Sequence, residues 1–516
     1  MQQSQSKQQV GGILGFIERI GNKIPDITIL FISAFLLACV VSAVLAQIHF
    51  NYVHPATGRP IEITNMLSGK ALVDLMSKMV TNYANFPPLS MVIVATLGIG
   101  IADGSGYINT GLKKILSITP KVLITPVVIL VGMLSHLGPD SGYVIIIPIA
   151  AYMFYAVGKH PLAGIAASFA GIAGAFAANY TPSAIDPVIQ GFTQSAAQII
   201  DPGYQVNVLC NYFYAFASTF IVIGACWWVT EKITNPWLWK ACPLDDDLDL
   251  GNENNSSITP SENRAFKIAT AVLLLMLTGL AAALYPADSI LRAPDGVIAS
   301  FKAPIMQSIV SLIFIFAALV GLVYGIACGK FKSPKDVTAA MEEITKTLVQ
   351  LIVFYFFAAQ FLYAFGASNM GALIAVSGAE FLKSLNLPPQ VTVFGIIVFV
   401  ALLNLIITSA SAKWAILAPI FVPMLMAVGI APELTQVAFR VSDSAVNVVT
   451  PMFAFYPLII LYCQKYVKNA GIGTLSSMML PYTIALLVSL TFMLYLFWWL
   501  DIPLGFQADY VYPRRF

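Results

Sequence analysis

The chain has 516 residues, of which 58% are apolar and only 10% are charged, and its mean hydropathy is +0.81. Soluble globular proteins carry about 25% charged residues, so this composition excludes an ordinary soluble domain and indicates an integral membrane protein. The formal net charge is only +2. A charge this small does not indicate a nucleic-acid partner, and we expect none.

Apolar runs long enough to cross a membrane recur along the chain, which predicts an all-α polytopic protein in a lipid bilayer. Several runs are short or contain Gly and Pro, so hydropathy alone predicts about 9 to 11 membrane elements. The clearest runs are residues 27–48, 122–137, 208–230, 271–284, 305–328, 348–365 and 475–500.

Lysine clusters predict the orientation, because loops rich in Lys and Arg usually face the cytoplasm. Alternation of the spans then places the N-terminus in the cytoplasm. No cleavable signal peptide is visible, since a polar stretch precedes the first apolar run. The six cysteines are scattered without metal-ligand spacing and are expected to be small buried side chains. The lysines of these loops are Lys113, Lys114, Lys121, Lys330, Lys332, Lys335, Lys346, Lys465 and Lys468.

Two stretches, residues 148–161 and 419–432, match at 7 of 14 positions without a gap, at an offset of 271 residues. Both are flanked by polar, interrupted apolar segments, and such paired broken segments mark the substrate site of many transporters. We therefore predict a duplicated architecture. Its first half is residues 1–240, with a hairpin near 120–160. An acidic cytoplasmic linker, residues 241–264, precedes the second half, residues 265–516, with a hairpin near 392–430.

A polar stripe marks residues 433–451 of the second half. On a helix, Gln436, Arg440, Asp443, Ser444 and Asn447 fall within roughly 100° of arc. Charges at membrane depth are costly and usually face a cavity or an ion path. Hard oxygen ligands favour a sodium or proton site, and the guanidinium suits a substrate carboxylate. The alternative is an Arg440–Asp443 pair that only stabilises helix packing.

The corresponding region of the first half is residues 177–190. Asn179, Ser183 and Asp186 would share a helical face, but Pro182 and Pro187 forbid a regular helix there. A broken backbone at membrane depth survives where it is buried in protein or lines water. Asp186 is therefore a candidate binding residue, with a simple helix cap as the alternative.

The segments before the matched stretches resemble the tips of re-entrant hairpins, since Gly, Ser, Thr and Pro interrupt apolar sequence there. The register pairs Asp140 with Ser411 in the two tips. Trp414 is predicted either to stack on an aromatic substrate or to anchor the chain at the membrane interface. His136 is alone and is expected to be a satisfied polar residue. The recognised catalytic motifs are absent, which argues against an enzyme.

Four longer motifs resemble the p-aminobenzoyl-glutamate transporter (AbgT) family, and the similarity extends over nearly the whole chain. They are SHLGPDSGYVIIIP, NYTPSAIDPVIQGF, TSASAKWAILAPIFVPM and PELTQVAFRVSDSAVNVVTPMF. The resemblance implies a homodimer whose subunits each have about nine transmembrane helices and two oppositely oriented re-entrant helical hairpins, in an inverted-repeat arrangement.

The resemblance also implies roles for site residues, matched by motif. The positions associated with sodium are Asn404, Asp443 and Asn447. The positions that line the substrate path are Asp186, Ser411, Trp414, Pro432, Arg440 and Pro451. The register of 271 places Met133 opposite Asn404, so the first half is not expected to carry an equivalent amide-based ion site.

We therefore expect a secondary active transporter of the bacterial inner membrane that moves p-aminobenzoyl-glutamate or related small aromatic anions. Its coupling cation would be sodium or a proton, and no other cofactor is expected. One alternative is a proton-motive-force-driven exporter of sulfonamide antimetabolites. The others are an intramembrane enzyme and a passive channel. The direction of net transport stays open, because it depends on the gradients and the coupling.

Overall fold

The computed structural model describes residues 26–53, 58–135, 141–245 and 258–513. These residues form helices without a named β-strand; two isolated bridges, Val53–Pro60 and Ile430–Val511, are the exceptions. The prediction of an all-α membrane protein is confirmed. The helices are α1 (Ile27–Leu45), α2 (Gly69–Ala84), α3 (Pro87–Ser105), α4 (Tyr107–Ser117), α5 (Ile124–Leu134), α6 (Ser141–Ala156), α7 (Pro161–Phe169), α8 (Ile185–Ala197), α9 (Tyr212–Val229), α10 (Asn235–Ala241), α11 (Pro260–Leu284), α12 (Pro304–Gln307), α13 (Ile309–Cys328), α14 (Pro334–Ala367), α15 (Met370–Ser384), α16 (Pro389–Asn404), α17 (Ala410–Met426), α18 (Pro432–Val446), α19 (Tyr456–Gln464) and α20 (Ile472–Trp499).

Seven helical segments of the described chain are long and apolar enough to cross a membrane, and the number rises to nine if each bent pair is one span. The bent pairs are α4 with α5, which meet at 119°, and α15 with α16, which meet at 117°. The second member of each pair is also the first arm of a hairpin. The expected nine spans are therefore reached only when these arms are counted as parts of spans.

The order of elements around the two hairpins is the same in both halves: a bent helix pair, a second arm, a turn and a helix that begins with proline. Each hairpin has two helical arms, α5 and α6 in the first half and α16 and α17 in the second. After the second arm the chain turns at Gly158 or at Gly429, which have φ values of +76° and +87°. Glycine adopts this left-handed conformation without steric cost. Pro161 and Pro432 then open α7 and α18, where the missing N–H costs nothing. The matched stretches are thus hairpin arms and turns.

Close backbone contacts hold the first hairpin against the helix that follows it. A Cβ atom at Gly164 would lie 2.4 Å from the carbonyl oxygen of Ala150, and one at Gly171 would lie 2.5 Å from that of Ile129. Helices approach this closely in membranes where small residues face each other. The chain after α7 continues as a π-helical turn, Ala170–Gly174, and is non-helical from there to α8.

Helix α18 lies at the centre of the second half. Every residue of it is buried, and it packs against α8, α16, α17 and α20. Its polar stripe is therefore enclosed by protein. By contrast, α11 exposes large apolar side chains such as Leu274 and Leu275, which is the surface that a lipid bilayer covers.

Several predicted features lie outside the described residues. They include the N-terminus, the acidic residues 246–257 of the linker, and both His136 and Asp140 in the first hairpin tip. The flanks of the linker are described: α10 ends at Ala241, and α11 begins at Pro260 behind a capping box formed by Thr259 and Glu262. No disulfide joins the six cysteines, which all lie among the described residues; four of them are buried, as expected, and Cys242 and Cys328 are half-buried.

Candidate functional site

The first element of the site is a buried ion pair between the two halves. Arg440 Nη1 of α18 donates to Asp186 Oδ1 at 2.7 Å, and the two side chains are 4% and 12% exposed. The backbone N–H and the hydroxyl of Ser183 donate to Asp186 Oδ2, at 2.7 and 3.0 Å. Asp186 therefore binds Ser183, in the turn before α8, and the guanidinium at the same time, and it makes no hydrogen bond that caps α8. The alternative Arg440–Asp443 pair is wrong, because the guanidinium points to the other half.

Arg440 retains an unused donor. Its Nη2 atom is buried and has no hydrogen-bond partner among the described residues. A space of about 10 Å³ next to the guanidinium is bordered by Asp186, Asn179 and Tyr212 and holds one water molecule at most. A buried guanidinium nitrogen without a partner is costly, so this donor is available to an anion.

The second element is a cluster of four polar side chains. Asn404 Nδ2 donates to the carbonyl oxygen of Asp443 at 2.7 Å and to Asn447 Oδ1 at 3.1 Å. Asn447 Nδ2 donates to Asp443 Oδ2 at 3.3 Å. The structure thus brings together the three residues predicted for sodium. Their role in binding sodium stays a prediction.

A lysine occupies the centre of this cluster. Lys413 Nζ lies 2.7 Å from Asp443 Oδ1 and also donates to Asn404 Oδ1. Both members of the ion pair are buried, at 1% and 0% exposure. The ammonium group and the neighbouring amides already contact the oxygen atoms that a sodium ion would need. In this arrangement the residues do not fit a bound sodium ion.

Lys413 is not among the predicted site residues, although the sequence contained a signal for it. The residue lies inside the quoted TSASAKW motif, in the apolar arm α17. A lysine within a membrane segment is rare and marks a functional site by default. The interpretation of the motif instead concentrated on its Ser and Trp residues.

Trp414 lies in the core beside this cluster. Its ring is fully buried and stacks on Phe439 with centroids 4.4 Å apart. Its Nε1 donates to Thr193 Oγ1 at 2.9 Å, and that hydroxyl donates to Gln436 at 2.6 Å. The prediction that Trp414 anchors the chain at the membrane interface is therefore wrong, because an anchoring side chain would reach the membrane surface. The contact between Trp414 and substrate stays a prediction.

The third element is a cavity of about 350 Å³ between α3, α14, the first hairpin and the start of α8. Its volume lies in the range of small-molecule sites, about 300–1,000 Å³. Ser183 lines this cavity and also binds Asp186, so one residue connects the cavity with the buried ion pair. The described lining residues carry no formal charge and include Thr96, Ser135, Tyr143, Phe176, Asn179, Ser183, Thr347, Leu348, Tyr355 and Ser411.

The predicted substrate residues are distributed unevenly around this cavity. Ser411 lies on its wall, whereas Asp186 and Arg440 lie behind Ser183. Pro432 opens α18, and Pro451 lies in the turn that follows α18. Neither proline borders the cavity among the residues described. The walls supplied by α3 and α14 had no sequence signal, because they consist of ordinary apolar, Thr and Tyr residues.

Comparison with known proteins gives consistent matches over nearly the whole chain. Residues 12–512 match the family described as the AbgT putative transporter family. The chain is 32% identical over 511 residues to the p-aminobenzoyl-glutamate transport protein of Escherichia coli strain K12. The match covers 99% of this chain and 98% of that protein.

Two solved structures are also similar. The YdaH transporter of Alcanivorax borkumensis, described as having an unusual topology, is 37% identical with a TM-score of 0.87, over 93% of this chain and 100% of that chain. MtrF of Neisseria gonorrhoeae, described as illuminating a class of antimetabolite efflux pumps, is 39% identical with a TM-score of 0.90. The match covers 96% of this chain and 100% of the MtrF chain.

Proposed function

The chain belongs to the AbgT transporter family, and from this premise we propose that it is a secondary active transporter of small aromatic anions. The proposed substrate is p-aminobenzoyl-glutamate, the compound named for the Escherichia coli relative. This compound combines an aromatic ring with two carboxylates, so its site needs an aromatic wall and a cationic partner.

The observation that carries the proposal is the arrangement around Arg440. Its Nη1 is bound to Asp186, while its buried Nη2 has no partner among the described residues. A substrate carboxylate would bind the planar guanidinium through two nitrogens and displace Asp186. The cavity reaches this pair through Ser183. Rearrangement of the 178–184 segment would then admit the carboxylate.

The aromatic part of the substrate has a matching wall. Tyr143, Phe176 and Tyr355 line the cavity, and aromatic rings gain from offset-stacked or edge-to-face contact with one another. We propose these three side chains as the first contacts of the substrate ring. A contact with Trp414 would require a conformation in which α17 has moved, because here Phe439 covers its ring.

We further propose that a sodium or proton gradient drives transport through the cluster around Asp443. A carboxylate at membrane depth is costly and is usually kept for an ion path. The proposed location is the bacterial inner membrane, with the N-terminus in the cytoplasm. The proposed assembly is a homodimer, without a cofactor other than the coupling cation.

Replacement of Arg440 by Lys tests this function. The substitution keeps the positive charge but removes the planar fork, so we expect substrate affinity to fall by about tenfold or more. The measurement is saturable uptake of labelled p-aminobenzoyl-glutamate into proteoliposomes. Arg264→Lys, at an exposed position on α11, is the matched control and should behave as wild type. Unchanged affinity in Arg440→Lys would remove Arg440 from the site.

Export of antimetabolites is a second candidate, favoured by the similarity to MtrF. Imposing sodium and pH gradients one at a time on sealed vesicles, with p-aminobenzoyl-glutamate and then a sulfonamide, distinguishes the two functions. Uptake that does not saturate would indicate a channel. The relatives are transporters, which argues against an intramembrane enzyme. An enzyme would be supported only by product formation in detergent without a gradient.

A further inference from the structure

Lys413 lies at the centre of the polar cluster, and the family match assigns it no role. Asn404 ends the first arm of the second hairpin, Lys413 lies in the second arm, and Asp443 lies in α18. Three separate elements therefore converge on one ammonium group. The hairpin tip between the two arms, residues 405–409, fixes the distance between the amide and the lysine.

The position of Lys413 is not explained by the stability of its own helix. The residue is close to the N-terminus of α17, where the helix dipole opposes a positive charge. Its side chain is 1% exposed, so it gains no hydration. The contacts with Asp443 and Asn404, together with the Phe439 ring 5.9 Å away, offset these costs. The contacts of the ammonium within the cluster, and not the stability of α17, therefore account for a lysine at this position.

The cluster has room for one positive charge. Asp443 is its single carboxylate, and Arg440 of the same helix is already paired with Asp186. A sodium ion beside the ammonium would add a second positive charge at a contact distance in a buried site, where like charges repel strongly. Lysine and sodium therefore exclude each other at Asp443.

We propose that the Lys413 ammonium is a tethered cation that holds the coupling-ion site, so that a soluble cation binds Asp443, Asn404 and Asn447 only after Lys413 has left. This inference rests on the proposed function. It assigns Lys413 as a residue that determines ion occupancy. Its side chain has a flexible four-carbon stem, so a small movement of the helical turn that carries it is enough to withdraw the ammonium.

The location of Ser411 links this exchange to the substrate. Ser411 lines the 350 Å³ cavity, and Lys413 follows two residues later in the same turn of α17. A movement of this turn that withdraws the ammonium also displaces the cavity wall. Ion exchange at Asp443 and the shape of the substrate cavity are therefore connected through one helical turn.

The test is equilibrium binding of radiolabelled sodium to the purified full-length protein in detergent, without transport. Lys413→Met removes the charge and keeps the length of the side chain. Because the tethered cation lowers the fraction of protein able to bind sodium, we expect sodium affinity to rise by about tenfold or more. Lys383→Met, at the exposed end of α15, is the matched control and should leave sodium affinity unchanged.

A second variant keeps the inference testable if Lys413→Met fails to fold with Asp443 unpaired. Lys413→Arg retains a cation that grips the carboxylate in a bidentate manner, so sodium binding should fall below that of wild type. Unchanged or weaker sodium binding by folded Lys413→Met, or wild-type sodium binding by Lys413→Arg, would overturn the inference. Failure of the proposed function would instead appear as absent transport by wild-type protein, which these binding results do not depend on.

Discussion

The two halves share a backbone plan but differ in chemistry at corresponding positions. At the register of 271, the second-half residues Asn404, Lys413, Asp443 and Asn447 correspond to Met133, Gly142, Ile172 and Phe176. The first set forms a buried charged cluster. Three members of the second set, Gly142, Ile172 and Phe176, line the 350 Å³ cavity.

The difference indicates that corresponding segments of the two halves have different chemistry. Where the second half has a filled cation cluster, the first half has an open wall without formal charge. Asp186 and Arg440 then connect the halves across the centre. A similar order of helices therefore does not imply similar sites, and the comparison predicts that ion binding and substrate binding are separable by mutation.

Asp443→Asn should have the largest effect on this comparison. The substitution removes the only carboxylate of the cluster and leaves Lys413 without its ion pair. We expect transport to fall by about 100-fold or more in proteoliposomes. The loss of one partner of a buried pair also costs about 3–5 kcal/mol of stability, measured as a fall in thermal unfolding temperature.

A double variant separates these two effects. Asp443→Asn combined with Lys413→Met removes both charges, so it should regain thermal stability but not transport. Substantial transport by a folded protein that lacks Asp443 would show that the cluster does not drive the cycle.

Gly142→Ala probes the first-half counterpart of Lys413. The added Cβ atom would lie 2.4 Å from Ser135 Oγ and 2.7 Å from Ser135 Cβ, so the cavity wall must shift. We expect the KM for substrate to rise by about 3- to 10-fold, since overpacking displaces neighbouring groups. A KM equal to that of wild type would place the substrate elsewhere.

Ser183→Ala should have an effect no larger than that of Gly142→Ala. It removes the 3.0 Å hydrogen bond to Asp186 but leaves the 2.7 Å bond from the backbone N–H. A lost hydrogen bond of this kind costs about 1 kcal/mol, or roughly fivefold in substrate affinity. Ser384→Ala, at the exposed end of α15, is the control. A loss of more than about 100-fold would give Ser183 a direct role that the geometry does not indicate.

Periodicity and turn chemistry predicted much of the fold. Apolar runs predicted the membrane class, and the matched stretches 148–161 and 419–432 with their polar flanks predicted two hairpins, which α5–α6 and α16–α17 form. The stripe on α18 predicted that Arg440, Asp443 and Asn447 belong to one buried face, as the structure shows. These signals are local, so they can be read from a single sequence.

The partners of the charged residues could not be predicted in the same way. Arg440 and Asp443 are three residues apart, which offered a pair between them as an alternative, but tertiary packing gave each a different partner. Asp186 is 254 residues from Arg440 in sequence. The cavity likewise joins α3, α14 and both hairpins, and no local pattern encodes such an assembly.

The separation of the two sites is tested most directly by paired sodium and substrate titrations of Gly142→Ala and Lys413→Met in the purified protein. The account predicts that Gly142→Ala weakens substrate binding while its sodium affinity stays at the wild-type value. It predicts that Lys413→Met raises sodium affinity by about tenfold or more and leaves substrate binding in sodium-free buffer close to wild type. If each variant instead altered both affinities to the same extent, the division between cavity and cluster would be contradicted.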